Sequence, residues 1–399
     1  MTDASPRLPL DDITVVAVEQ AVAAPFATRQ LADLGARVIK VERPDGGDFA
    51  RGYDHAVRGG SSAFLWLNRG KESVVLDLKD PARLNELHRL LARADVLVAN
   101  LAPAAIDRLG LGAATLARRH PRLIVCQISG YAPDGPFASR KAYDALVQAE
   151  TGVMSLTGTP GAPAKVGVSV ADIAAGSHAF SGVLAALRHR DRTGEALPVE
   201  VSLFDALSEW MAHPLYYTLY GGSAPEPMGT SHPTIAPYGA FAAADGTSLL
   251  VAVQNDREWA RLCTEVLDSP ALGADPRFRT NPDRVAHRAA LDAALGVRFA
   301  ARAPEQLTAQ LDAAGIAWGR MTPLADLPAH PELARPGRWT DTPTEHGTVR
   351  TLRPSAAPGG RFAEGGRVPG LGQHTAAVLP GPDCPEADSP EPDSPEGDR

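Results

Sequence analysis

The chain has 399 residues, 44% hydrophobic and 22% charged, which is the balance of an ordinary globular protein with length for two or three domains. No run approaches eighteen uninterrupted apolar residues, and three scattered cysteines, Cys126, Cys263 and Cys384, exclude a disulfide scaffold and a CxxC metal knuckle. The formal net charge is −8, but residues 381–399 hold seven acids and one Arg, so the rest is nearly neutral and carries no basic footprint for nucleic acid.

The opening MTDASPRLPLDD has acids and prolines where a secretory signal has basic and apolar segments. With so few cysteines, each expected to pack as a small hydrophobe, a reducing cytoplasmic location is expected, with no membrane partner. Only five basic residues are Lys (Lys40, Lys71, Lys79, Lys141 and Lys165), and the Arg excess reads as the codon bias of a GC-rich bacterium.

From Ile13 to Gly130 strand and helix patterns alternate, the signature of a parallel sheet with crossover helices. ITVVAVEQ, ARVIKVERP, SVVLDLK, DVLVANL and RLIVCQISG read as strands. AAPFATRQLADLG, ending at Gly35, reads as a helix, as does DPARLNELHRLLARA, where Asp80 and Pro81 form an N-cap and first-turn pair; a further helix runs from AAIDRLG to RRH. The layer is Rossmann-like, yet its first turn reads QAVAAPFA, not G-x-G-x-x-G. Ala21, Ala23 and Ala24 there either admit a ligand to the helix N-terminus or allow close packing on the sheet.

Beyond Gly130, YDALVQAETGVMSLTG and VADIAAGSHAFSGVLAALRHRDRTG are long helical patterns, followed by a strand in LPVEVSLFD and a helix in DALSEWMAHPLYYTLYGG. Residues 221–235 are rich in Gly, Pro and Ser and mark a boundary. APYGAFAAADGTSLLVAVQ is a hairpin turning at Asp245-Gly246, and helices in DREWARLCTEVL, residues 284–301 and PEQLTAQLDAAG complete a smaller α+β domain. HGTVRTLRP and GGRFAEG resemble short strands returning to the first domain, and the acidic, Pro-rich tail lacks the apolar residues to order itself.

Among residues able to carry chemistry, Asp172 stands at a helix start amid Ala171, Ala174, Ala175 and Gly176, small residues that leave room for a close approach. It is either a reactive carboxylate or a helix cap, and Asp144 has the same two readings. His232, with Thr230 and Ser231 in a turn-rich loop, either binds a small polar group or is simply solvated. No H-E-x-x-H, Cys/His cluster or G-x-S-x-G occurs, so no metal site is expected.

Several blocks together, LDDITVVAVEQAVAAPFATRQLADLGARVIKVERPDGGDFAR, FLWLNRGKESVVLDLK, ADVLVANLAPAAIDRLGLG, ISGYAPDGP and VADIAAGSHAFSGVLAALRHRDRTGE, resemble the class III CoA-transferase family over roughly residues 9–378. That family includes formyl-CoA transferase, carnitine CoA-transferases and α-methylacyl-CoA racemase. The resemblance implies a large Rossmann-like CoA-binding domain (1–220, returning at 336–380), an inserted small α+β domain (221–335) and a disordered tail (381–399). It also implies two ring-like chains interlocked as a homodimer.

By the same resemblance Asp172 is the nucleophile, passing through an aspartyl anhydride and an aspartyl-CoA thioester. A CoA thioester is a substrate; no cofactor is permanently bound. Residues matched to CoA contacts are Ala21, Ala23, Arg43, Leu76, Asn100, Leu101, Arg108, Lys141 and Tyr143. Val22 stands where formyl-CoA transferase carries a Gln, a contact that Gln20 is a candidate to replace. Racemase members carry a His before the Asp matched by Asp144; Tyr143, a phenol, is a poor general base there at neutral pH.

The segment GTSHPTIAPYGAF with QNDREW resembles bacterial members that move CoA among C4 and C5 dicarboxylates, which makes Ser231 and His232 candidates for holding the acceptor carboxylate. Transfer from an acyl-CoA such as succinyl-CoA to a small acid is the expected activity. Intramolecular C1–C4 transfer in mesaconyl-CoA, racemisation of an acyl-CoA, and a non-catalytic acyl-CoA-binding role are the alternatives.

Overall fold

The structure, a computed structural model, describes residues 7–379. Cys384 and the acidic segment 381–399 lie outside the described residues. In chain order the elements are β1 (Thr14–Val18), α1 (Ala23–Asp33), β2 (Arg37–Glu42), α2 (Ser62–Asn68), β3 (Lys71–Val75), α3 (Pro81–Leu91), β4 (Val96–Ala99), α4 (Pro103–Leu109), α5 (Ala113–Arg119) and β5 (Ile124–Ser129). There follow α6 (Asp144–Glu150), α7 (Val153–Leu156), a minimal hairpin of β6 (Gly158–Thr159) and β7 (Ala162–Pro163), α8 (Val170–Thr193), β8 (Val199–Ser202), α9 (Leu203–Trp210) and α10 (Ala212–Gly221). The rest comprises β9 (Tyr238–Ala242), β10 (Ser248–Ala252), α11 (Asp256–Arg261), α12 (Pro270–Ala274), α13 (Asn281–Ala286), α14 (Arg288–Ala300), α15 (Pro304–Ala313), β11 (Ala317–Arg320), α16 (Pro331–Ala334), β12 (Trp339–Thr344), β13 (Gly347–Leu352) and α17 (Thr375–Val378).

The chain forms two compact units. One holds the residues up to Ala142, Ala171–Ala206 and those from Trp339 onward; the other holds Tyr143–Val170 and Leu207–Arg338. The breaks therefore differ from the partition at 220 and 335, because a composition shift marks a loop and not the contacts made on either side of it.

The first unit is built on a six-stranded sheet of order β3-β2-β1-β4-β5-β8, every pair parallel. Such a sheet is covered on both faces, which is why its strands read as continuous apolar runs. Val16 and Leu97 are fully buried neighbours in the β1–β4 register. They belong to a core with Leu87 and Leu91 of α3 and Leu116 of α5, and burying each such side chain contributes about 1.5–3 kcal/mol. The returning chain is tied to this unit. Arg69 Nη1 donates to the Leu352 carbonyl at 2.9 Å, and the backbone N–H groups of Ser73 and Val75 donate to His374 Nδ1 and Thr375 Oγ1, each at 3.0 Å.

In the second unit β9, β10 and β11 form an antiparallel sheet around the turn at Asp245-Gly246, where Gly246 takes a φ of +87°. Trp259, Phe278, Leu291, Leu295 and Phe299 fill its core. Arg284, fully buried with them, satisfies its guanidinium on the carbonyls of Ala236 and Phe278 and on Asp256.

Four local readings change. GGRFAEG is not a strand, and the strand facing β13 is β12, whose Pro343 argues against an interior strand by sequence but is tolerated in a two-stranded ribbon. The segment after Tyr143 is two short helices parted at Gly152, which has a φ of +81°. The helix from AAIDRLG to RRH is interrupted at Gly110, and the one from DALSEW to YGG is interrupted at Met211. α8 is long and apolar enough to pass for a membrane span, with mean hydropathy 1.4, but its Ala171, Ala174, Ala175 and Ala179 are fully buried in the protein.

Candidate active site at the carboxyl edge of the parallel sheet

In a parallel sheet every strand ends on the same edge, so loops that follow different strands gather there. Gln20–Ala23 follow β1, Arg43 follows β2, Leu76 follows β3, and Asn100 and Leu101 follow β4. Seven candidates from distant stretches of sequence thus share one edge. β1 and β4 are adjacent but lie at the point where strand order reverses, the place where open α/β sheets bind ligands. Asn100 closes that point: its Oδ1 accepts from Gln20 N at 2.9 Å and its Nδ2 donates to Gln20 O at 2.8 Å. One N–H and one bond to the oxygen of its amide thus go to the protein's own backbone, which leaves a second N–H.

Ala21, next in the chain, is a non-glycine residue with a φ of +62°. An L-residue pays about 1–2 kcal/mol for that conformation. It is held by Asp48, whose Oδ1 accepts from Ala21 N at 2.9 Å. α1 then begins at Ala23 with no side-chain cap. Its first N–H groups belong to small residues, a setting that favours an anion or a developing oxyanion.

Beneath this turn lies a buried charge network. Lys40 Nζ donates to Asp48 Oδ2 at 2.8 Å and to Glu19 Oε1 at 3.3 Å, while Lys71 Nζ reaches the same Glu19 oxygen at 2.6 Å. Arg51 pairs with Glu42 at 2.8 Å, and Ser73 Oγ donates to Glu42 Oε1 at 2.6 Å. Three acids face three bases, so the cluster balances. Burial opposes the charge on Glu19 but Lys71 and Lys40 outweigh it and hold the carboxyl below its ordinary range. Burial likewise opposes Lys40, yet Glu19 and Asp48 keep its pKa above the usual value. For Lys71 burial wins, pushing it down to about 8, and Glu42 is drawn down to about 2 because Arg51 and Lys40 overcome its burial. Sequence reasoning missed this network. Its signal was present as Lys40 and Lys71 standing inside strand patterns.

Asp172 occupies the first turn of α8 and is partly buried. Four residues on, Gly176 meets the other side of the β1–α1 turn: a Cβ there would stand 2.5 Å from the Ala23 carbonyl oxygen and 3.0 Å from the Phe26 ring. Residues four apart share a helix face, so Asp172 projects on the face that touches Ala23, about 6 Å along the axis from that contact. The Ala and Gly spacing in VADIAAGSHA thus serves close packing, and it puts Asp172 one helical turn from the contact with the β1–α1 turn.

The remaining candidates divide. Arg43 is exposed, its guanidinium 4.1 Å over the Phe49 ring and its Nε donating to Gly47 O at 2.8 Å, which presents it rigidly at the edge. Leu76 is 2% exposed and belongs to the core, so its backbone alone can meet a ligand. Leu101 is partly buried beside a cavity of about 200 Å³ that Ile106, Gln127, Ser129 and Glu200 also line. Arg108 is exposed in the last turn of α4, and Lys141 is exposed near the end of its segment of the first unit. Tyr143 is 70% exposed at the N-cap of α6, and Asp144 accepts from Gln148 Nε2 at 2.7 Å.

In the second unit His232 stacks on Tyr238 with ring centroids 5.3 Å apart, and its carbonyl accepts from Arg288 at 2.6 Å. Burial first, then Arg288 and His213, lowers its pKa, so the ring is neutral at pH 7. Nδ1 accepts the Thr234 N–H at 3.2 Å, which assigns the proton to Nε2 and makes that nitrogen a donor. Ser231 is partly buried beside it, close to Gly239. Cys126 and Cys263 are buried and burial pushes both thiols up to about 12, so neither is a nucleophile at neutral pH.

CoA-transferase family III matches residues 10–375. The chain is 38% identical over 335 residues to acetyl-CoA:oxalate CoA-transferase of Acetobacter aceti, covering 84% of this chain and 86% of that one. It is 36% identical over 392 residues to succinate–glutarate CoA-transferase of Agrobacterium fabrum, covering 95% and 97%. Among solved structures, a CAIB/BAIF family protein from Brucella suis aligns with a TM-score of 0.83 at 35% identity, over 94% of this chain and 99% of that one.

Proposed function

The chain belongs to CoA-transferase family III, and on that premise we propose that it moves CoA from an acyl-CoA, with succinyl-CoA the expected donor, to a small dicarboxylic acid, with Asp172 as nucleophile. The observation that supports this is the close packing of α8 on the β1–α1 turn at Gly176, one helical turn from Asp172, next to a helix that starts without a side-chain cap. The acceptors named for the two relatives above, oxalate and glutarate, are both dicarboxylates.

The chemistry is a covalent relay that exchanges one thioester for another, so the activation of the acyl group is kept and not lost to hydrolysis. An Asp172 oxygen adds to the thioester carbonyl, and the C–S bond breaks to release CoA thiolate and leave a mixed anhydride. The thiolate attacks the aspartyl carbonyl, freeing the donor acid and forming an aspartyl thioester. The acceptor carboxylate attacks that carbonyl and expels the thiolate, which then takes the acceptor acyl group and restores the Asp172 carboxylate. Each addition places negative charge on a carbonyl oxygen. In this reading the free N–H groups at the start of α1 receive it, and one such donor is worth about 10²–10³ in kcat.

Arg43, Arg108 and Lys141 would pair with the CoA phosphates, with Ala21, Ala23, Leu76, Asn100, Leu101 and Tyr143 shaping the rest of the CoA site. His232 Nε2 and Ser231 Oγ are donors suited to an acceptor carboxylate, and Gln20 is a further polar candidate at the turn. The interlocked homodimer belongs to the same reading. Its support is the outer face of α10, where Leu219 and Tyr220 are 62% and 86% exposed, an apolar surface suited to a second chain.

The test is a chromatographic screen of succinyl-CoA and acetyl-CoA against oxalate, malate, succinate, glutarate, itaconate and mesaconate, with hydroxylamine trapping of the acyl-enzyme. New acyl-CoA with one acid and a hydroxamate on the Asp172 peptide are expected. A D172N enzyme that turns over at the wild-type rate would refute the proposal, and rearrangement of mesaconyl-CoA without added acid would replace it with the intramolecular reaction.

A further inference from the structure

The blocks VIKVERP, GGDFAR and NRGKES supply Lys40, Asp48 and Lys71, residues with no part in the chemistry so far. Asp48 is the one that reaches the ligand edge. Its Oδ1 accepts from the N–H groups of Ala21 and Ala50, each at 2.9 Å, and its Oδ2 is held by Lys40 Nζ at 2.8 Å. It is 4% exposed, so it supports the site from beneath.

We propose that Asp48 is a positioning residue for CoA transfer: by holding Ala21 in the left-handed conformation it aims the first N–H groups of α1 at the carbonyl attacked by Asp172. The role rests on the reading of that turn given above. Three features support it. An alanine does not adopt a φ of +62° unaided, and Asn100 clamps Gln20 on the other side, so the turn is fixed at two consecutive residues by side chains from two different loops. Lys40, which orients the Asp48 carboxylate, is itself tied to Glu19, the residue before Gln20, so strand end and loop move as one piece. The competing account is that Asp48 merely caps the turn of 3₁₀ helix at Phe49–Gly52 through Ala50.

The two accounts separate in a double-mutant test. D48N keeps the shape of the side chain but sets an amide against the Lys40 ammonium; per folded enzyme, kcat and the single-turnover rate of hydroxylamine-trapped acyl-enzyme are expected to fall at least tenfold, with the KM for acyl-CoA within threefold. Glycine adopts the left-handed conformation without penalty, so A21G/D48N is expected to recover a substantial part of that loss. A cap alone predicts no recovery. Should D48N fail to fold, A21V serves: it leaves Asp48 and its partners in place while opposing the positive φ, and the same tenfold loss is expected. A D48N enzyme with wild-type trapping, a double variant no faster than D48N, or A21V at the wild-type rate refutes this role alone. A wild-type enzyme that traps no acyl group refutes it together with the covalent mechanism.

Discussion

Gly176→Ala adds one methyl group at the contact that joins α8, the helix of the proposed nucleophile Asp172, to the β1–α1 turn. The new Cβ would stand 2.5 Å from the Ala23 carbonyl oxygen, where ordinary contacts begin at 3.4 Å, so the helix and the turn must part by about 0.9 Å. Neither side yields easily, because the obstacle is backbone and the Phe26 ring lies 3.0 Å away. Overpacking of this kind costs about 1–3 kcal/mol of stability. A displacement of ~1 Å at a reacting group costs on the order of 10²-fold in rate. Urea denaturation and steady-state kcat measure the two effects. Gly296→Ala is the control: it is a helical glycine in α14 with nothing within 4 Å, so alanine there should add about 0.5–1 kcal/mol and leave kcat unchanged. A G176A enzyme with wild-type kcat would refute the claim that this packing positions Asp172.

Glu42, drawn from 4.5 to about 2 in the folded state, contributes stability that is complete above pH 4.5 and is lost as the pH falls toward 2. The loss amounts to ~3 kcal/mol, and E42Q should lack that limb in urea denaturation run from pH 6 to about 2.5. Phe299→Ala removes a fully buried ring that packs on Phe241 at 5.1 Å, and calorimetry should show about 3–5 kcal/mol of destabilisation. His232→Ala is expected to raise the KM for the acceptor acid about tenfold, the worth of one lost hydrogen bond to a charged group, with the KM for acyl-CoA unchanged; an unaltered acceptor KM would remove His232 from the site.

The relation between charge and apolar pattern is where the sequence is easiest to misread. A Lys inside VIKVE breaks the strand pattern and looks like a local flaw. Its partners, Glu19 and Asp48, are 21 and 8 residues away, and nothing local names them. Asn100 reads as a ligand contact at the end of a strand, and nothing local shows that its amide also clamps Gln20, 80 residues back. β11 and β12 went unseen for a related reason, being short or Pro-containing segments stabilised by their pairing partners more than by their own residues.

The sequence by itself determined the alternation that builds the parallel sheet, the hairpin at Asp245-Gly246, the long small-residue helix and Asp172 as its acidic first turn, because periodicity, turn chemistry and side-chain volume act over a few neighbouring residues. Only the tertiary structure decided which strand ends share an edge, that Gly176 docks against Ala23, and that Asp48 holds Ala21 in a left-handed turn. Those contacts join residues separated by 27 to 153 positions, and their free energy exists only once the sheet has brought the segments together.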